Sequence, residues 1–306
     1  MAEECGAMLS VKNVSKTFRY GMLNKSEVNA LRDVSFSLSR GETLGLVGES
    51  GCGKTTLGRV IIRLLEPTSG KIAINGIDIT KLNRRKFKKY RTKLQMIFQD
   101  PRTSLNPRMK ISDCLTEGLD LQGNHNEGML YELLDTVNLR QEILDRYPHE
   151  VSGGEIQRVV IARAFSLDPD LIVADEPTSN LDVSVQAQVL NLLKDLQDEH
   201  KITYILISHD LEVVRSVSDR IAVMLAGRIV EEGSAERVIN EPLHPYTIDL
   251  KAASSLEGTV AEEENFSTSC NGGCPYFHRC SRAADICLRK EPHLKGSDHK
   301  VACIMA

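Results

Sequence analysis

The feature of this sequence that most constrains its fold is a glycine-rich segment between two apolar patterns. Residues 48–55 read Gly-Glu-Ser-Gly-Cys-Gly-Lys-Thr and fit the pattern G-x-x-x-x-G-K-[ST]. Thr43–Val47, just before it, has the length and composition of a buried strand, and Leu57 and Ile61 after it recur at helical spacing. The order of strand, tight turn and helix predicts an α/β fold built around a phosphate-binding turn.

This segment, residues 48–55, is called the phosphate loop below. Its glycines let successive backbone N–H groups point inward as an anion nest, and the following helix N-terminus adds a partial positive charge. Lys54 is expected to reach the β- and γ-phosphates, and the Thr55 hydroxyl to coordinate Mg²⁺. Because the loop binds through its main chain, no role is expected for the Cys52 side chain. The predicted nucleotide contacts are Gly48, Ser50, Gly51, Cys52, Gly53, Lys54, Thr55 and Thr56.

A second element supplies carboxylates. The apolar run Leu171–Ala174 has the character of a buried strand, and Asp175 and Glu176 follow it directly. Ligands collect at the carboxyl ends of strands in open α/β sheets. Asp175 is therefore predicted to hold Mg²⁺, and Glu176 to orient and deprotonate the attacking water.

The rest of the pattern predicts a mainly parallel sheet covered by helices. Apolar strands alternate with amphipathic helices, and Asn75-Gly76 and Ala226-Gly227 mark two hairpin turns. Leu64 and Leu65 share a predicted helix face with Leu57 and Ile61. Residues from about 101 to 167 are richer in helical periodicity and predict an inserted helical subdomain.

Composition narrows the function classes. The chain has 306 residues and a net charge of −4, so bulk electrostatics do not indicate binding to nucleic acid. No apolar run approaches the roughly 18 residues that a membrane-spanning helix needs, and residues 1–10 lack the pattern of a secretory signal. The basic run Lys81–Lys93 is interpreted as a solvated helix face rather than a phosphate-backbone contact.

Five of the eight cysteines crowd the last 37 residues, after a polar linker near 257–269. In a reducing compartment, such a cluster indicates metal or iron–sulfur ligation before disulfides. Four thiolates suit either a cubane cluster or tetrahedral zinc, and a tail without metal is the remaining alternative. The five are Cys270, Cys274, Cys280, Cys287 and Cys303.

Val151-Ser-Gly-Gly-Glu-Ile-Gln-Arg158 resembles the signature of ABC ATPases, which usually reads LSGGQ; Val stands first here and Glu fifth. The resemblance extends over roughly residues 8–250. It implies a P-loop NTPase (RecA-like) core with an antiparallel β subdomain, an inserted α-helical subdomain and a Cys-rich C-terminal extension. Further family motifs occur in order: Phe18 (or Tyr20) against the adenine, the Q-loop Gln99, the D-loop Asp182 and the switch His209.

The resemblance also implies roles for these residues. Ser152, Gly153, Gly154 and Glu155 would contact the γ-phosphate of ATP held by an opposite subunit, in a homodimer or a heterodimer with a paralogue. Gln99 would contact Mg²⁺ and water and serve as a hinge, and His209 would contact the γ-phosphate. Asp182 would communicate across the dimer. Glu176, His209 and Gln99 are thus the predicted catalytic residues, and Thr55, Gln99 and Asp175 the predicted magnesium site.

Residues 100–109 and 242–247 resemble the oligopeptide/dipeptide/nickel importer branch. This implies two membrane permease subunits as partners, an extracytoplasmic solute-binding protein, and a cytoplasmic position on the inner membrane face. The tail resembles a branch extension that in some members holds a [4Fe–4S] cluster; Cys274, Cys280, Cys287 and Cys303 are the implied ligands, zinc is the alternative metal, and Cys270 is spare. The expected domains are 1–257 and 258–306. The competing classes are a soluble ABC ATPase that remodels ribosomes or DNA and a metal- or redox-sensing regulator.

Overall fold

The computed structural model describes residues 6–21, 26–123, 126–255 and 272–306. The predicted linker near 257–269 and Cys270 lie outside these residues. The strands are β1 (Leu9–Tyr20), β2 (Ser26–Leu38), β3 (Thr43–Val47), β4 (Ser69–Ile74), β5 (Ile77–Asp78), β6 (Leu94–Ile97), β7 (Leu171–Asp175), β8 (Thr203–Ser208), β9 (Arg220–Leu225), β10 (Arg228–Ser234) and β11 (Lys300–Val301).

The α-helices are α1 (Lys54–Ile61), α2 (Arg84–Arg91), α3 (Pro101–Ser104), α4 (Ile111–Gln122), α5 (Glu127–Thr136), α6 (Gly153–Phe165), α7 (Val183–His200), α8 (Leu211–Val217), α9 (Ala235–Asn240), α10 (Pro245–Ser255) and α11 (Asp285–Arg289). The chain divides into two compact units, one of residues 1–81 and 206–306 and the other of residues 82–205. The boundary between them falls within β8.

The first unit contains a four-stranded antiparallel sheet in the order β2-β1-β4-β5. The turn between β4 and β5 has φ of 48° at Asn75 and 76° at Gly76, as the sequence predicts for a type I′ hairpin. The second sheet of this unit runs β11-β10-β9-β3, with the C-terminal part of β8 after β3. All five residues of β3 are buried, and β3 pairs in parallel with β9, so β3 is a core strand that ends at the phosphate loop.

The second unit contains β6, β7 and the N-terminal part of β8, with β7 in the middle. The pairing of β6 with β7 is parallel, and every residue of β7 is buried. The helices α3 to α6 occupy residues 101–165, and the capped helix α7 follows β7. The basic residues of α2 are exposed while Phe87 is only 5% exposed, which confirms the predicted solvated helix face.

One local prediction was wrong. Leu64 and Leu65 were expected to continue the buried face of α1, but the helix ends at Ile61 and Leu64 is 57% exposed. The backbone at Arg63 has a φ of 57°, in the left-handed region, and the N–H groups of Leu64 and Leu65 both donate to the carbonyl of Arg59. A left-handed residue closes the helix here without a glycine, ahead of Pro67, where the sequence pattern predicts its end.

Candidate active site

The phosphate loop depends on glycine at its two ends. Gly48 has a φ of 151°, and a Cβ there would lie 2.3 Å from the carbonyl oxygen of Met224. Gly53 has a φ of 109° and precedes α1, and its Cβ would lie 2.5 Å from the carbonyl oxygen of Ala30. Both positions combine left-handed backbone with close backbone neighbours, so only glycine fits without strain. The loop therefore has the shape that its motif predicts.

Lys54 is folded back along the phosphate loop and is only 6% exposed. Its Nζ donates to the carbonyl of Gly48 at 2.6 Å and to that of Glu49 at 2.9 Å, and it lies 3.8 Å from Cys52 Sγ. Burial raises the pKa of the Cys52 thiol, although the neighbouring Lys54 ammonium opposes this, so Cys52 stays neutral. The Lys54 side chain is thus held against the main chain of the phosphate loop.

The remaining loop positions open outward. Ser50 and Gly51 are exposed, whereas Thr55 and Thr56 are half-buried in the first turn of α1. The first turn of a helix carries backbone N–H groups without helical acceptors, so these residues offer donors to an anion. The shape of the loop suits a polyphosphate, and Thr55 carries the hydroxyl that the sequence predicts as a Mg²⁺ ligand.

Gln99 and Glu176 meet within the second unit. Asp175, the last residue of β7, is 3% exposed, and Glu176 follows it with a φ of 47°. The side-chain amide of Gln99 donates to Glu176 Oε2 at 3.0 Å. A non-glycine residue in the left-handed region is strained, and such residues cluster at functional sites. The predicted base and the Q-loop amide thus share one hydrogen bond.

The signature segment forms a capped helix start. Ser152 is the N-cap of α6, and its Oγ accepts from the backbone N–H of Glu155 at 3.3 Å. In return, Glu155 Oε2 accepts from the N–H of Ser152 at 2.9 Å and from its hydroxyl at 2.7 Å. Hydrogen bonds from the Ser152 N–H and hydroxyl lower the pKa of Glu155, so this carboxylate is ionised at neutral pH. The glutamate at the fifth signature position completes a capping box.

Gly154 has a packing role in the same helix start. A Cβ at Gly154 would lie 2.7 Å from Val185 Cγ1 in the first turn of α7, whereas one at Gly153 would meet only Leu181 Cδ2 at 3.6 Å. The glycine at 154 thus permits the two helix starts to approach closely. Asp182, the N-cap of α7, accepts from the N–H groups of Ser184 and Val185 at 3.1 and 3.0 Å. These hydrogen bonds lower the pKa of Asp182, and the bond from the Val185 N–H contributes most.

His209 and Phe18 belong to the first unit. His209 is exposed directly after β8, and the next residue, Asp210, caps α8 by accepting from the N–H groups of Glu212 and Val213. Phe18 is half-buried in β1, with its ring stacked at 6.3 Å on that of Tyr20 and Lys16 Nζ 5.1 Å from its centroid. Tyr20 is 55% exposed, so both candidate aromatics have an open ring surface.

Four cysteines of the C-terminal residues line one small cavity, called the cysteine cavity below. They are Cys274, Cys280, Cys287 and Cys303. Burial raises the pKa of Cys274 to about 11, with smaller contributions from the negative charge of the other three sulfurs. Within the described ranges, no three His, Cys, Asp or Glu side chains converge closely enough to hold a single metal ion.

The sequence pattern missed a cluster around Glu49 of the phosphate loop. The N–H of Glu49 donates to the hydroxyl of Tyr246 at 2.8 Å, and Arg279 Nη1 lies 3.0 and 3.2 Å from the two carboxylate oxygens of Glu49. Tyr246 stands in the segment 242–247, which the sequence identified only as a branch hallmark. No local pattern in that segment signals its contact with the phosphate loop, because the burial of Tyr246 is known only from the structure.

Two family models match this chain. The model of the family described as ABC transporter matches residues 31–179, and that described as oligopeptide/dipeptide transporter, C-terminal region, matches residues 230–287. An oligopeptide transport ATP-binding protein OppF of Bacillus subtilis is 50% identical over 255 residues, which cover 81% of this chain and 83% of the relative. The chain belongs to the oligopeptide branch of the ABC transporter ATP-binding proteins.

A second relative of the ABC branch extends the match further along the chain. The oligopeptide transport ATP-binding protein AppF of Bacillus subtilis is 44% identical over 318 residues, covering 97% of this chain and 96% of the relative. Among solved structures, the ATP-binding cassette MJ0796 bound to ADP and Pi, described as dimeric, is similar with a TM-score of 0.67 and 29% identity. The match covers 74% of this chain and 99% of the MJ0796 cassette. The ADP conformation of the cassette MJ1267 is similar with a TM-score of 0.68 and 27% identity, and this match covers 80% of this chain and 98% of that cassette.

Family membership fixes the chemistry of the site. This ABC ATPase has an α/β P-loop NTPase fold, uses ATP and Mg²⁺, and hydrolyses ATP in a process coupled to transport. Subunits of this family work with membrane permeases and in a dimeric ATPase arrangement. Of the helices in the described part of the chain, none is both long enough and apolar enough to cross a membrane.

Proposed function

We propose that this chain is the ATP-hydrolysing subunit that powers import of peptides through a membrane ABC transporter. The observation that carries the proposal is the Gln99–Glu176 hydrogen bond beside the buried Asp175, together with a loop shaped for a polyphosphate. The relatives named for oligopeptide transport support peptide as the solute. None of the relatives described above is named for nickel transport, so we infer that the transported solute is a peptide.

In the proposed mechanism, the phosphate loop holds the phosphates of ATP, with Lys54 on the β- and γ-phosphates, and Thr55, Gln99 and Asp175 would hold Mg²⁺. Glu176 accepts a proton from the attacking water, which Gln99 helps to orient, and His209 contacts the γ-phosphate. Ser152 to Glu155 of an opposite subunit contact the γ-phosphate, and Asp182 communicates between the subunits. ATP thereby favours the closed dimer, and hydrolysis removes that preference.

The partners that we propose are a second ATPase subunit, identical or paralogous, and two permease subunits. An extracytoplasmic solute-binding protein delivers the peptide, and the ATPase lies on the cytoplasmic face of the membrane. Residues 1–257 form the ATPase domain with its helical subdomain at about 101–167, and residues 258–306 form the extension. The range of α3–α6 supports the position of the helical subdomain.

Transport assays test this function directly. The chain is purified with its permeases, reconstituted into vesicles, and supplied with ATP and either a labelled oligopeptide or labelled nickel. We expect ATP-dependent peptide uptake that disappears in Lys54→Ala, a variant that lacks the phosphate-binding ammonium. Uptake of nickel alone, or ATP hydrolysis without copurifying membrane subunits, would contradict the proposal.

We further propose that Cys274, Cys280, Cys287 and Cys303 hold a [4Fe–4S] cluster, with Zn²⁺ as the alternative. Support comes from their common cavity and from the chemistry of four thiols, which bind metal with loss of protons. One Zn²⁺ requires sulfurs about 2.3 Å from one centre, and the described side chains do not converge in that way. A cubane accepts more widely separated sulfurs. Such a cluster would cross-link residues 274–303, a segment that is too short to bury a hydrophobic core alone.

Metal analysis distinguishes these cases. Anaerobically purified protein is expected to be brown and to contain iron and acid-labile sulfide, and Cys280→Ser to lose the colour. A colourless wild-type protein with one zinc per chain would assign the alternative metal. Protein with neither metal would overturn the proposal for the cysteines while leaving the ATPase assignment intact.

A further inference from the structure

The phosphate loop contacts two elements that lie more than 190 positions later in the chain. Its Glu49 N–H donates to the Tyr246 hydroxyl at 2.8 Å, at the start of α10. Tyr246 is only 1% exposed, and burial raises the pKa of its hydroxyl, so it remains a neutral acceptor. A buried hydroxyl that receives one specific N–H fixes the backbone of the loop at that residue.

The side chain of Glu49 is held from the C-terminal extension. Arg279 Nη1 lies 3.0 Å from Oε1 and 3.2 Å from Oε2 of Glu49. The two side chains are 39% and 30% exposed, so the pair is partly screened by solvent. One guanidinium nitrogen contacts both carboxylate oxygens, so Arg279 holds the Glu49 carboxylate at its end. We call Glu49, Tyr246 and Arg279 the Glu49 clamp.

Tyr276 connects the two arms of the clamp. Its ring packs edge-to-face against Tyr246 with centroids 5.3 Å apart, and the Arg279 guanidinium lies 5.5 Å from its centroid. The Tyr276 hydroxyl donates to Asp249 of α10. Tyr276 and Arg279 lie between Cys274 and Cys280, so the clamp and the cysteine cavity share one short segment. The extension is thus packed against the residues that support the phosphate loop.

We propose that Tyr246 and Arg279 are positioning residues for ATP binding, and that through them the C-terminal extension sets the affinity of the phosphate loop for ATP. Glu49 carries a negative charge within a loop that must bind a polyphosphate. Arg279 offsets that charge and holds the carboxylate, while Tyr246 fixes the adjacent N–H. Loss of either contact leaves the loop less ordered, and loss of Arg279 also leaves an unbalanced carboxylate beside the phosphates.

A double-mutant cycle tests whether Arg279 acts through Glu49. Arg279→Gln should weaken binding of a non-hydrolysable ATP analogue about three- to fivefold, and KM should rise by the same factor while kcat changes less than about twofold. In the Glu49→Gln background the same substitution should change affinity less than about twofold, since no carboxylate remains to be held. Equal losses in both backgrounds would show that Arg279 acts as a distant charge and would overturn the proposal.

A matched control variant distinguishes a positioning role in ATP binding from a general effect of any substitution on affinity. Arg289→Gln removes an exposed arginine of the same extension and should leave the affinity unchanged. Tyr246→Phe should weaken analogue binding about five- to tenfold because the Glu49 N–H loses its acceptor. Unchanged affinity in both Tyr246→Phe and Arg279→Gln, or an equal loss in Arg289→Gln, would overturn the proposal.

Discussion

The Gln99 amide donates a hydrogen bond to Glu176 Oε2 at 3.0 Å, with Glu176 held in left-handed backbone after β7. This bond orients the carboxylate and links it to the segment that begins at α3. The hydrogen bond therefore fixes the position of the carboxylate that we propose as the general base.

Replacing Glu176 with Gln tests the base directly. The amide cannot accept the proton of the attacking water, so kcat should fall about 10²- to 10⁴-fold while ATP binding persists. ATP should then accumulate in a stable dimer, measured by sedimentation with and without Mg·ATP. Hydrolysis at the wild-type rate would remove Glu176 from this role. Glu127→Gln, at an exposed position of α5, serves as the control.

Glu155 offers a second prediction, because its carboxylate occupies the fifth position of the signature. Glu155→Gln keeps an oxygen that accepts from Ser152 but removes a negative charge where a γ-phosphate is expected. In the Glu176→Gln background, ATP-dependent dimerisation should tighten severalfold, about 1 kcal/mol. Sedimentation at several ATP concentrations measures the change. A dimer constant that is unaltered, or weakened, would show that the charge at this position does not face the nucleotide.

The buried carboxylate of Glu231 is predicted to contribute to the free energy of unfolding. Glu231 is 0% exposed and accepts from the N–H groups of Leu243 and His244 at 2.8 and 2.9 Å, and its Oε1 lies 2.8 Å from His299 Nε2. Glu231→Ala orphans these donors and should lower the free energy of unfolding by about 3 kcal/mol. Denaturant titration measures this free energy. Glu236→Ala, on the exposed side of α9, is the control. Similar losses in both variants would refute the assigned role.

His244 predicts a pH dependence. Burial lowers its pKa from 6.5 to about 4, and its Nδ1 accepts from the N–H of Tyr246 at 3.1 Å. Between these two values the unfolded chain binds a proton that the folded chain does not, so stability falls as pH falls from about 6.5 to about 4. The loss approaches about 3 kcal/mol at the lower limit. His244→Gln should flatten this part of the stability curve; an unchanged slope would assign it to other groups.

Local rules predicted much of the fold and site. The strand at 43–47, the glycine turn and the Asn75-Gly76 hairpin follow from short-range steric requirements, and each was confirmed. The end of α1 was not predicted, because Arg63 adopts a left-handed conformation that few residue types signal. The Glu49 clamp was also beyond reach, since its partners come from positions 246 and 279. Contacts between residues so far apart leave no periodic pattern.

The short strand β11 has a consequence for any shortened form of this chain. Lys300 and Val301 pair with Glu232 and Glu231 at the outer side of β10. A protein that stopped before Lys300 would present β10 as a bare sheet edge, with backbone donors and acceptors ready to pair with another molecule. The last few residues therefore protect the edge of β10 from pairing with another molecule, whether or not a metal is bound nearby.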